Sequence, residues 1–223
     1  MTEPKTIAID GPVASGKTVV GQMVAEQLDF RFLDTGIMYR AITRLAIDKR
    51  IALTDEMSLT ILARDVTMEI VPGHGGDHIF LVDGEDISDQ LRDTEVDQGV
   101  SLVSKISGVR SVMVKQQRVI ADGSQIVMVG RDIGTVVLPD AALKIYLTAS
   151  VEIRARRRFL DFQRQGELVD YSQVVDELTR RDKIDSERAD SPLRPASDAT
   201  VINVDDIRVE ELAEKILNII RRD

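Results

Sequence analysis

The chain has 223 residues, with 29 Lys and Arg against 38 Asp and Glu and a formal charge of -9. It contains no Cys, which excludes disulfide scaffolds, thiolate zinc sites, iron–sulfur clusters and cysteine nucleophiles. The acidic charge opposes binding to nucleic acid and anionic membranes, and no stretch is apolar enough for a signal peptide or a membrane span. We therefore expect a cytoplasmic protein with no nucleic-acid or membrane partner.

The first part of the chain alternates strands and helices. The apolar run 6–10 predicts a buried strand, and 18–28 predicts a helix because apolar residues recur every three or four positions. A second strand is predicted at 30–33, followed by helices at 37–47 and 58–63. This alternation indicates a parallel sheet covered on both faces.

After the third helix the pattern changes. Apolar and polar residues alternate over 66–70, a Gly-rich loop follows at 72–77, and the strand 79–82 runs into the hairpin signal Asp83-Gly84. A small antiparallel sheet is therefore predicted, inserted into the alternating pattern.

The remainder of the chain returns to helices and strands. Ligands of such sheets bind beyond the carboxyl ends of the strands, so residues that carry chemistry are expected there. We predict helices at 93–105 and 109–121, strands at 126–129 and 143–147, helices at 151–165 and 172–181, a strand at 201–204 and a last helix at 209–220.

A phosphate-binding loop is predicted between the first strand and the first helix. Residues 11–18, Gly-Pro-Val-Ala-Ser-Gly-Lys-Thr, fit the pattern G-x-x-x-x-G-K-[ST] in the required strand–loop–helix context. Its backbone N–H groups form a nest for phosphate oxygens, Lys17 reaches the β- and γ-phosphates, and Thr18 can ligate Mg²⁺. The pattern indicates nucleotide binding, but it does not separate kinases from GTPases, motor ATPases or switches.

Arginines near the ends of two strands predict a second anion site. Arg40 follows the second strand, and Arg131 and Asp132 follow the strand 126–129 directly, at the same edge of the sheet. A solvated surface charge is the alternative for Arg40. A further Arg-rich run lies at 154–158, and such runs are usually exposed helix faces. Phosphoryl transfer, however, needs cations and the exclusion of water, which favours an Arg-bearing lid.

Four segments together resemble bacterial cytidylate kinases, over nearly the whole chain and in order. They are the phosphate loop, Leu33-Asp34-Thr35-Gly36-Ile37-Met38-Tyr39-Arg40, Gly130-Arg131-Asp132-Ile133-Gly134-Thr135-Val136-Val137, and Arg181-Asp182-Lys183-Ile184-Asp185-Ser186-Glu187-Arg188 with Ser191-Pro192-Leu193. The resemblance implies an α/β P-loop NTPase fold with a five-stranded parallel sheet core, an inserted nucleoside-monophosphate-binding subdomain with a small antiparallel sheet, and a short helical lid.

The same resemblance implies domain boundaries. The core P-loop domain would comprise 1–36 and 122–223, with the lid at about 153–168. The monophosphate-binding domain would comprise 37–121, with the antiparallel insert at about 66–88.

The activity that the resemblance implies is transfer of the γ-phosphoryl group of ATP to CMP or dCMP, with Mg²⁺, in pyrimidine nucleotide metabolism, by a monomer. The implied CMP-binding set is Thr35, Arg40 and Arg131 for the acceptor phosphate, Arg181 and Asp185 for the ribose, and Ser101, Arg110, Asp132 and Arg188 for the cytosine. The ATP-binding set is Gly11, Pro12, Val13, Ala14, Ser15, Gly16, Lys17, Thr18 and Val19, with Thr18 as the Mg²⁺ ligand. The catalytic set is Lys17, Arg131, Arg154, Arg157 and Arg158.

Two residues depart from the family's pattern, and two other functions stay open. Val19 replaces a second hydroxyl or small residue, which implies one fewer phosphate hydrogen bond, and Ala14 stands where Gly is common. The first alternative is a P-loop kinase for another nucleoside monophosphate or a small metabolite. The second is a P-loop switch with slow hydrolysis and no acceptor, which the arginines outside the phosphate loop argue against.

Overall fold

The computed structural model describes residues 6–72, 78–164 and 166–221. Two short segments, the 3₁₀ turn Ser88–Arg92 and the π-helical turn Ile133–Val137, accompany the regular elements. In chain order the regular elements are β1 (Thr6–Asp10), α1 (Lys17–Leu28), β2 (Arg31–Asp34), α2 (Gly36–Asp48), α3 (Glu56–Asp65), β3 (Met68–Pro72), β4 (His78–Val82), β5 (Glu85–Asp86), α4 (Thr94–Ser104), α5 (Ser107–Ala121), β6 (Ile126–Gly130), β7 (Leu143–Thr148), α6 (Val151–Arg164), α7 (Tyr171–Glu187), β8 (Thr200–Asn203) and α8 (Val209–Ile220).

A five-stranded parallel sheet in the order β2-β6-β1-β7-β8 forms the centre of the fold and confirms the predicted fold class. Asp10, the last residue of β1, lies opposite Gly130 of β6 and Tyr146 of β7. The strands therefore end together, and the loops that follow them meet at one edge.

The sheet is covered on both faces because its strands are apolar on both sides. In β1, Ile7 and Ile9 pack with α1 and α8, whereas Ala8 between them belongs to a second core cluster built largely from α2, α3 and α5. The apolar stripe of α8, which includes Leu212 and Ile216, is buried as its spacing predicts.

The predicted antiparallel sheet is present as β3-β4-β5. Strand β3 extends to Pro72, which pairs with His78, so Pro72 belongs to the strand and not to the loop predicted at 72–77. The rest of that loop, 73–77, lies outside the described residues, as does residue 165 within the predicted lid. Within the described ranges, no helix is long and apolar enough to cross a membrane.

The helix predicted at 58–63 extends over Glu56–Asp65, and the strand predicted at 66–70 lies at Met68–Pro72. Two further differences have a clear physical cause. Helix α7 ends at Glu187 instead of residue 181, because its buried face continues beyond Val174 and Leu178 with the polar residue Asp185, which the apolar pattern does not register. The π-helical turn after β6 depends on Asp10 of a neighbouring strand, whose carboxylate accepts hydrogen bonds from the backbone N–H groups of Ile133 and Gly134, both at 2.8 Å.

Candidate active site

A cleft of about 200 Å³ lies beyond the carboxyl ends of β1, β2 and β6. Part of the phosphate loop lines one end, and helices α2, α4, α5, α6 and α7 contribute side chains to the rest. All nine residues of the predicted CMP-binding set line it, namely Thr35, Arg40, Ser101, Arg110, Arg131, Asp132, Arg181, Asp185 and Arg188. Four residues of the predicted ATP-binding set line it as well, namely Val13, Ala14, Lys17 and Thr18.

The phosphate loop exposes backbone donors at the start of α1. Gly16 caps this helix with a φ of 90°, a left-handed conformation that glycine adopts without strain, and no side chain caps the helix. The first N–H groups of α1 are therefore available to an anion. Gly11 is required for another reason, since a Cβ there would lie 2.5 Å from the carbonyl oxygen of Leu147.

Lys17 is buried at the base of this loop, where its Nζ donates to the carbonyl oxygen of Pro12 at 3.1 Å. Burial and the nearby charge of Arg131 lower the pKa of Lys17 to about 7. A phosphate group beside Lys17 would favour its charged form, so anion binding at this end is coupled to proton uptake near neutral pH.

Asp34 is a site residue that the sequence reasoning did not single out. The hydroxyl of Thr18 donates to its Oδ2 at 2.7 Å, and the N–H of Gly36 donates to its Oδ1 at 2.9 Å. Its position directly after β2, at the same edge as the phosphate loop, was the available signal. Hydroxyl and carboxylate oxygens thus lie together beside the phosphate loop.

The middle of the cleft is rich in guanidinium groups. Arg131 donates through Nε to Asp185 at 2.8 Å, and Arg40 donates to the carbonyl oxygen of Leu91 at 3.0 Å. Burial and the charge of Arg131 lower the pKa of Arg181. Cations this close together favour a multiply charged anion such as a phosphate group.

The far end of the cleft holds a buried ion-pair cluster. Arg110 donates to Asp132 at 2.5 Å and lies over the ring of Tyr39, and Arg188 lies 3.7 Å from Asp132 and 3.6 Å from Asp185. Within the described residues, Nε of Arg110 and Nη2 of Arg188 are buried without a hydrogen-bond partner. Unpaired buried donors are costly, so this cluster is suited to a polar ligand that supplies acceptors.

The three arginines of the predicted lid, which belong to the predicted catalytic set, contact different parts of the molecule. Arg158 lines the cleft and stacks on Phe162, with its guanidinium carbon 4.4 Å from the ring centre. Arg154 is buried, pairs with Asp182 at 2.5 Å and reaches the carbonyl oxygen of Val13 in the phosphate loop at 3.3 Å. Arg157 does not line the cleft; it donates to the carbonyl oxygen of Val204 at 2.8 Å.

The charge of the cleft opposes the charge of the chain. Seven cationic side chains and three carboxylates line the cleft, in a protein with a formal charge of -9. A larger depression, of about 630 Å³, lies on the surface of α8 and is lined mainly by Glu210, Glu211, Glu214 and Lys215. It lacks convergent donors and lies away from the strand ends, so the smaller cleft is the candidate active site.

Comparison with known proteins finds relatives that match the whole chain. The chain is 46% identical over 222 residues to the cytidylate kinase of Bacillus velezensis, covering 100% of this chain and 99% of the relative. It is 43% identical over 222 residues to the cytidylate kinase of Bacillus subtilis, with the same coverage of both chains.

Solved structures share the fold at low sequence identity. A gluconokinase from Sinorhizobium meliloti matches with a TM-score of 0.51 and 14% identity, covering 100% of this chain and 94% of that one. A shikimate kinase from Bacteroides thetaiotaomicron matches with a TM-score of 0.51 and 11% identity, covering 97% and 98%. The sequence profile of the family described as cytidylate kinase matches residues 7–222. The chain therefore belongs to the cytidylate kinase family.

Proposed function

We propose that this protein transfers the γ-phosphoryl group of ATP to CMP or dCMP, giving ADP and CDP or dCDP. The observation that carries the proposal is the single cleft that joins the phosphate loop to an arginine-rich middle and to the buried cluster around Asp132. The chain is 46% and 43% identical over 222 residues to two relatives named cytidylate kinase, which supports this activity. A donor site and an acceptor site in one cleft favour transfer between two bound nucleotides.

In this proposal the phosphate loop binds the triphosphate. Backbone N–H groups at the start of α1 and the Lys17 ammonium neutralise its negative charge, and Arg158 and Arg154 approach from α6. The acceptor phosphate is already ionised at neutral pH, so the transfer needs no general base. Catalysis then rests on placing the two phosphates in line and stabilising charge with the surrounding cations.

The acceptor's phosphate would lie among Thr35, Arg40 and Arg131, and its ribose near Arg181 and Asp185. These side chains line the same cleft as the phosphate loop and the Asp132 cluster. The hydroxyl of Thr35 donates to the carbonyl oxygen of Val129 at 2.9 Å, which fixes its position at the strand edge.

The base would be read by the buried cluster. A carboxylate at Asp132 accepts a hydrogen bond from the exocyclic amine of cytosine, whereas uracil presents a carbonyl oxygen at that position. The unpaired donors of Arg110 and Arg188 suit the ring carbonyl and N3 of cytosine. Ser101 completes the predicted set from α4.

The neighbouring oxygens of Thr18 and Asp34 fit Mg²⁺, a hard cation that prefers oxygen ligands. Thr18 would bind the metal directly, and Asp34 would orient the hydroxyl or a metal-bound water. When bound with ATP, Mg²⁺ supplies charge neutralisation at the phosphate oxygens.

The lid, the domain boundaries, the monomeric state and the cytoplasmic location stay predictions. Arg158 of α6 lines the same cleft as residues of the phosphate loop, which supports a lid at about 153–168. Closure over both substrates would exclude water, which otherwise competes as an acceptor.

A product analysis tests the proposal. Wild-type protein is incubated with ATP, Mg²⁺ and CMP, and the nucleotides are separated by ion-exchange chromatography. We expect CDP and ADP in equal amounts. Formation of ADP and inorganic phosphate without CDP would contradict the proposal and indicate a hydrolysing switch.

A further inference from the structure

Asp97 forms a contact between two parts of the molecule that the proposed function does not explain. It lies on α4, and its side chain is only 16% exposed. One carboxylate oxygen accepts a hydrogen bond from Nη2 of Arg40 on α2, and the other accepts one from Nη2 of Arg158 on α6. A single carboxylate therefore joins the proposed acceptor-phosphate arginine to the proposed lid arginine.

The placement of the three side chains shows which of them face the cleft. Arg40 and Arg158 line it, whereas Asp97 is not among the described residues that do. A guanidinium has five N–H donors, and each arginine gives Asp97 a hydrogen bond from one nitrogen only. The Asp97 carboxylate thus holds the guanidinium groups of Arg40 and Arg158 without lining the cleft itself. Each guanidinium keeps other N–H donors that can bind phosphate oxygens.

The charges explain why this contact matters. Burial acts to raise the pKa of Asp97, but the charges of Arg40 and Arg158 outweigh it and hold the pKa below its usual value, with Arg181 adding to the effect. Asp97 is therefore ionised at neutral pH. Without its charge, Arg40 and Arg158 would repel each other and the two elements would separate.

We propose that Asp97 is a positioning residue that ties the lid arginine Arg158 to the acceptor-site arginine Arg40, so that lid closure and the seating of the acceptor's phosphate depend on each other. The proposal rests on the proposed function for the identity of the acceptor. The tie itself is a property of the substrate-free protein and can be tested without any substrate.

The first test measures the distance between the lid and the monophosphate-binding segment. The chain has no Cys, so spin labels can be attached at Leu168→Cys and Met57→Cys, both at strongly exposed positions. In the substrate-free protein, Asp97→Asn is expected to shift the distance distribution to longer values. The matched control is Glu95→Gln, which removes an exposed acidic charge from the same helix and is expected to leave the distribution unchanged.

The second test separates positioning from a structural role by kinetics. Asp97→Asn is expected to raise the KM for CMP about tenfold, because a charge-assisted hydrogen bond to Arg40 is lost, and to change the KM for ATP less than about twofold. An unchanged lid distance together with an unchanged KM for CMP would overturn the proposal. A lower KM for CMP would also overturn it, because the carboxylate would then compete with the phosphate for Arg40.

A second variant keeps the test decisive if Asp97→Asn does not fold. Arg158→Gln breaks the same tie from the lid side and is expected to lengthen the same distance. Where Asp97→Asn does fold, the double variant is expected to lengthen the distance no further than either single variant, because all three variants lack the same Asp97–Arg158 interaction. Additive lengthening would contradict the tie. If the wild type phosphorylates an acceptor other than CMP, the proposed function fails but the substrate-free distances still decide the role of Asp97.

Discussion

The two ends of the cleft present different groups to a bound anion. At the donor end, one contiguous loop supplies backbone N–H groups and a single buried cation, Lys17. At the acceptor end, arginines from several helices and one loop are each held by a carboxylate, as in the pairs Arg131–Asp185 and Arg110–Asp132. The donor end is fixed by local backbone geometry and the acceptor end by long-range ion pairs.

This difference has a consequence for specificity. Backbone donors and a Lys point charge fit any polyphosphate, whereas paired guanidiniums and carboxylates fix both the charge and the hydrogen-bond pattern of the ligand. Substitutions at the donor end should therefore reduce turnover with every acceptor. Substitutions at the acceptor end should change affinity and choice of acceptor.

The largest effect is expected for Lys17→Met. In the proposed mechanism Lys17 is the buried cation beside the transferred phosphoryl group, so its removal should lower kcat by about 100-fold or more for every acceptor. ADP release measured with CMP and dCMP checks this. Lys215→Met, at an exposed position on α8, is the matched control and should retain wild-type turnover. A loss of turnover with only one of the two acceptors would contradict the distinction between the donor end and the acceptor end.

Arg131→Ala is expected to weaken CMP binding by about 2 kcal/mol or more, roughly 30-fold in Kd, because it removes a guanidinium and leaves Asp185 without its partner. Titration calorimetry with CMP measures the change. The control is Arg164→Ala, since the side chain of Arg164 is 76% exposed in its pair with Asp161. An unchanged Kd for CMP would remove Arg131 from the acceptor site.

Asp132→Asn is expected to reduce the ratio of kcat/KM for CMP over UMP by about tenfold. The amide can donate to the carbonyl oxygen of uracil, whereas the carboxylate can only accept. The ratio is independent of the fraction of protein that folds, which matters because Arg110 loses its charged partner. Asp140→Asn, at an exposed position near β7, should leave the ratio unchanged. Full retention of cytosine preference would show that another residue reads the base.

The burial of Lys17 at the donor end should also make the stability of the protein depend on pH. The pKa of Lys17 is lowered from 10.5 to about 7, mainly by burial. Below pH 7 both the folded and the unfolded chain carry the proton, so the full cost of the buried charge is present. Between pH 7 and 10.5 the unfolded chain binds more protons, so this cost declines as the pH rises.

We therefore expect Lys17→Met to melt at a higher temperature than the wild type at pH 7, by about 2–4 °C for each kcal/mol of relieved cost. The difference in Tm should narrow as the pH is raised towards 10. Thermal melts of both proteins at pH 7, 8.5 and 10 measure it. A difference that is constant across this range would mean that Lys17 keeps an ordinary pKa.

The smallest effect is expected at the start of α1. Val19→Thr restores a hydroxyl beside the phosphate loop and should strengthen ATP binding by about threefold, one weak hydrogen bond. CMP binding should not change. Val119→Thr makes the same substitution at an exposed position on α5 and should affect neither ligand. Titration of each variant with ATP measures the dissociation constant and tests this prediction.

The same contrast explains how much could be predicted from the sequence. The parallel strands and the phosphate loop are local patterns: buried strands are continuous apolar runs, and the loop is eight consecutive residues. Asp34 and Asp97 were missed because an acid in a polar segment looks solvated until the fold places it beside a partner. Only Asp34, directly after a strand, carried a usable signal.

The arginines of the predicted lid show most clearly what could not be predicted from the sequence. Arg157 and Arg158 lie three and four positions after Arg154 on one helix, and the sequence pattern does not indicate which partner each of them contacts. The structure separates them, since Arg158 lines the cleft, Arg154 pairs with Asp182, and Arg157 reaches the residue after β8. Tertiary contacts from α7 and from the end of β8 decide these positions, and helical spacing does not encode them.

The choice of acceptor is measured by ADP release from ATP and Mg²⁺ with a panel of acceptors: CMP, dCMP, UMP, AMP, GMP and none. Turnover confined largely to CMP and dCMP is the predicted result, because the Asp132 cluster is proposed to select the base and the phosphate loop is not. Equal turnover with every acceptor, or turnover that needs no acceptor, would contradict the account.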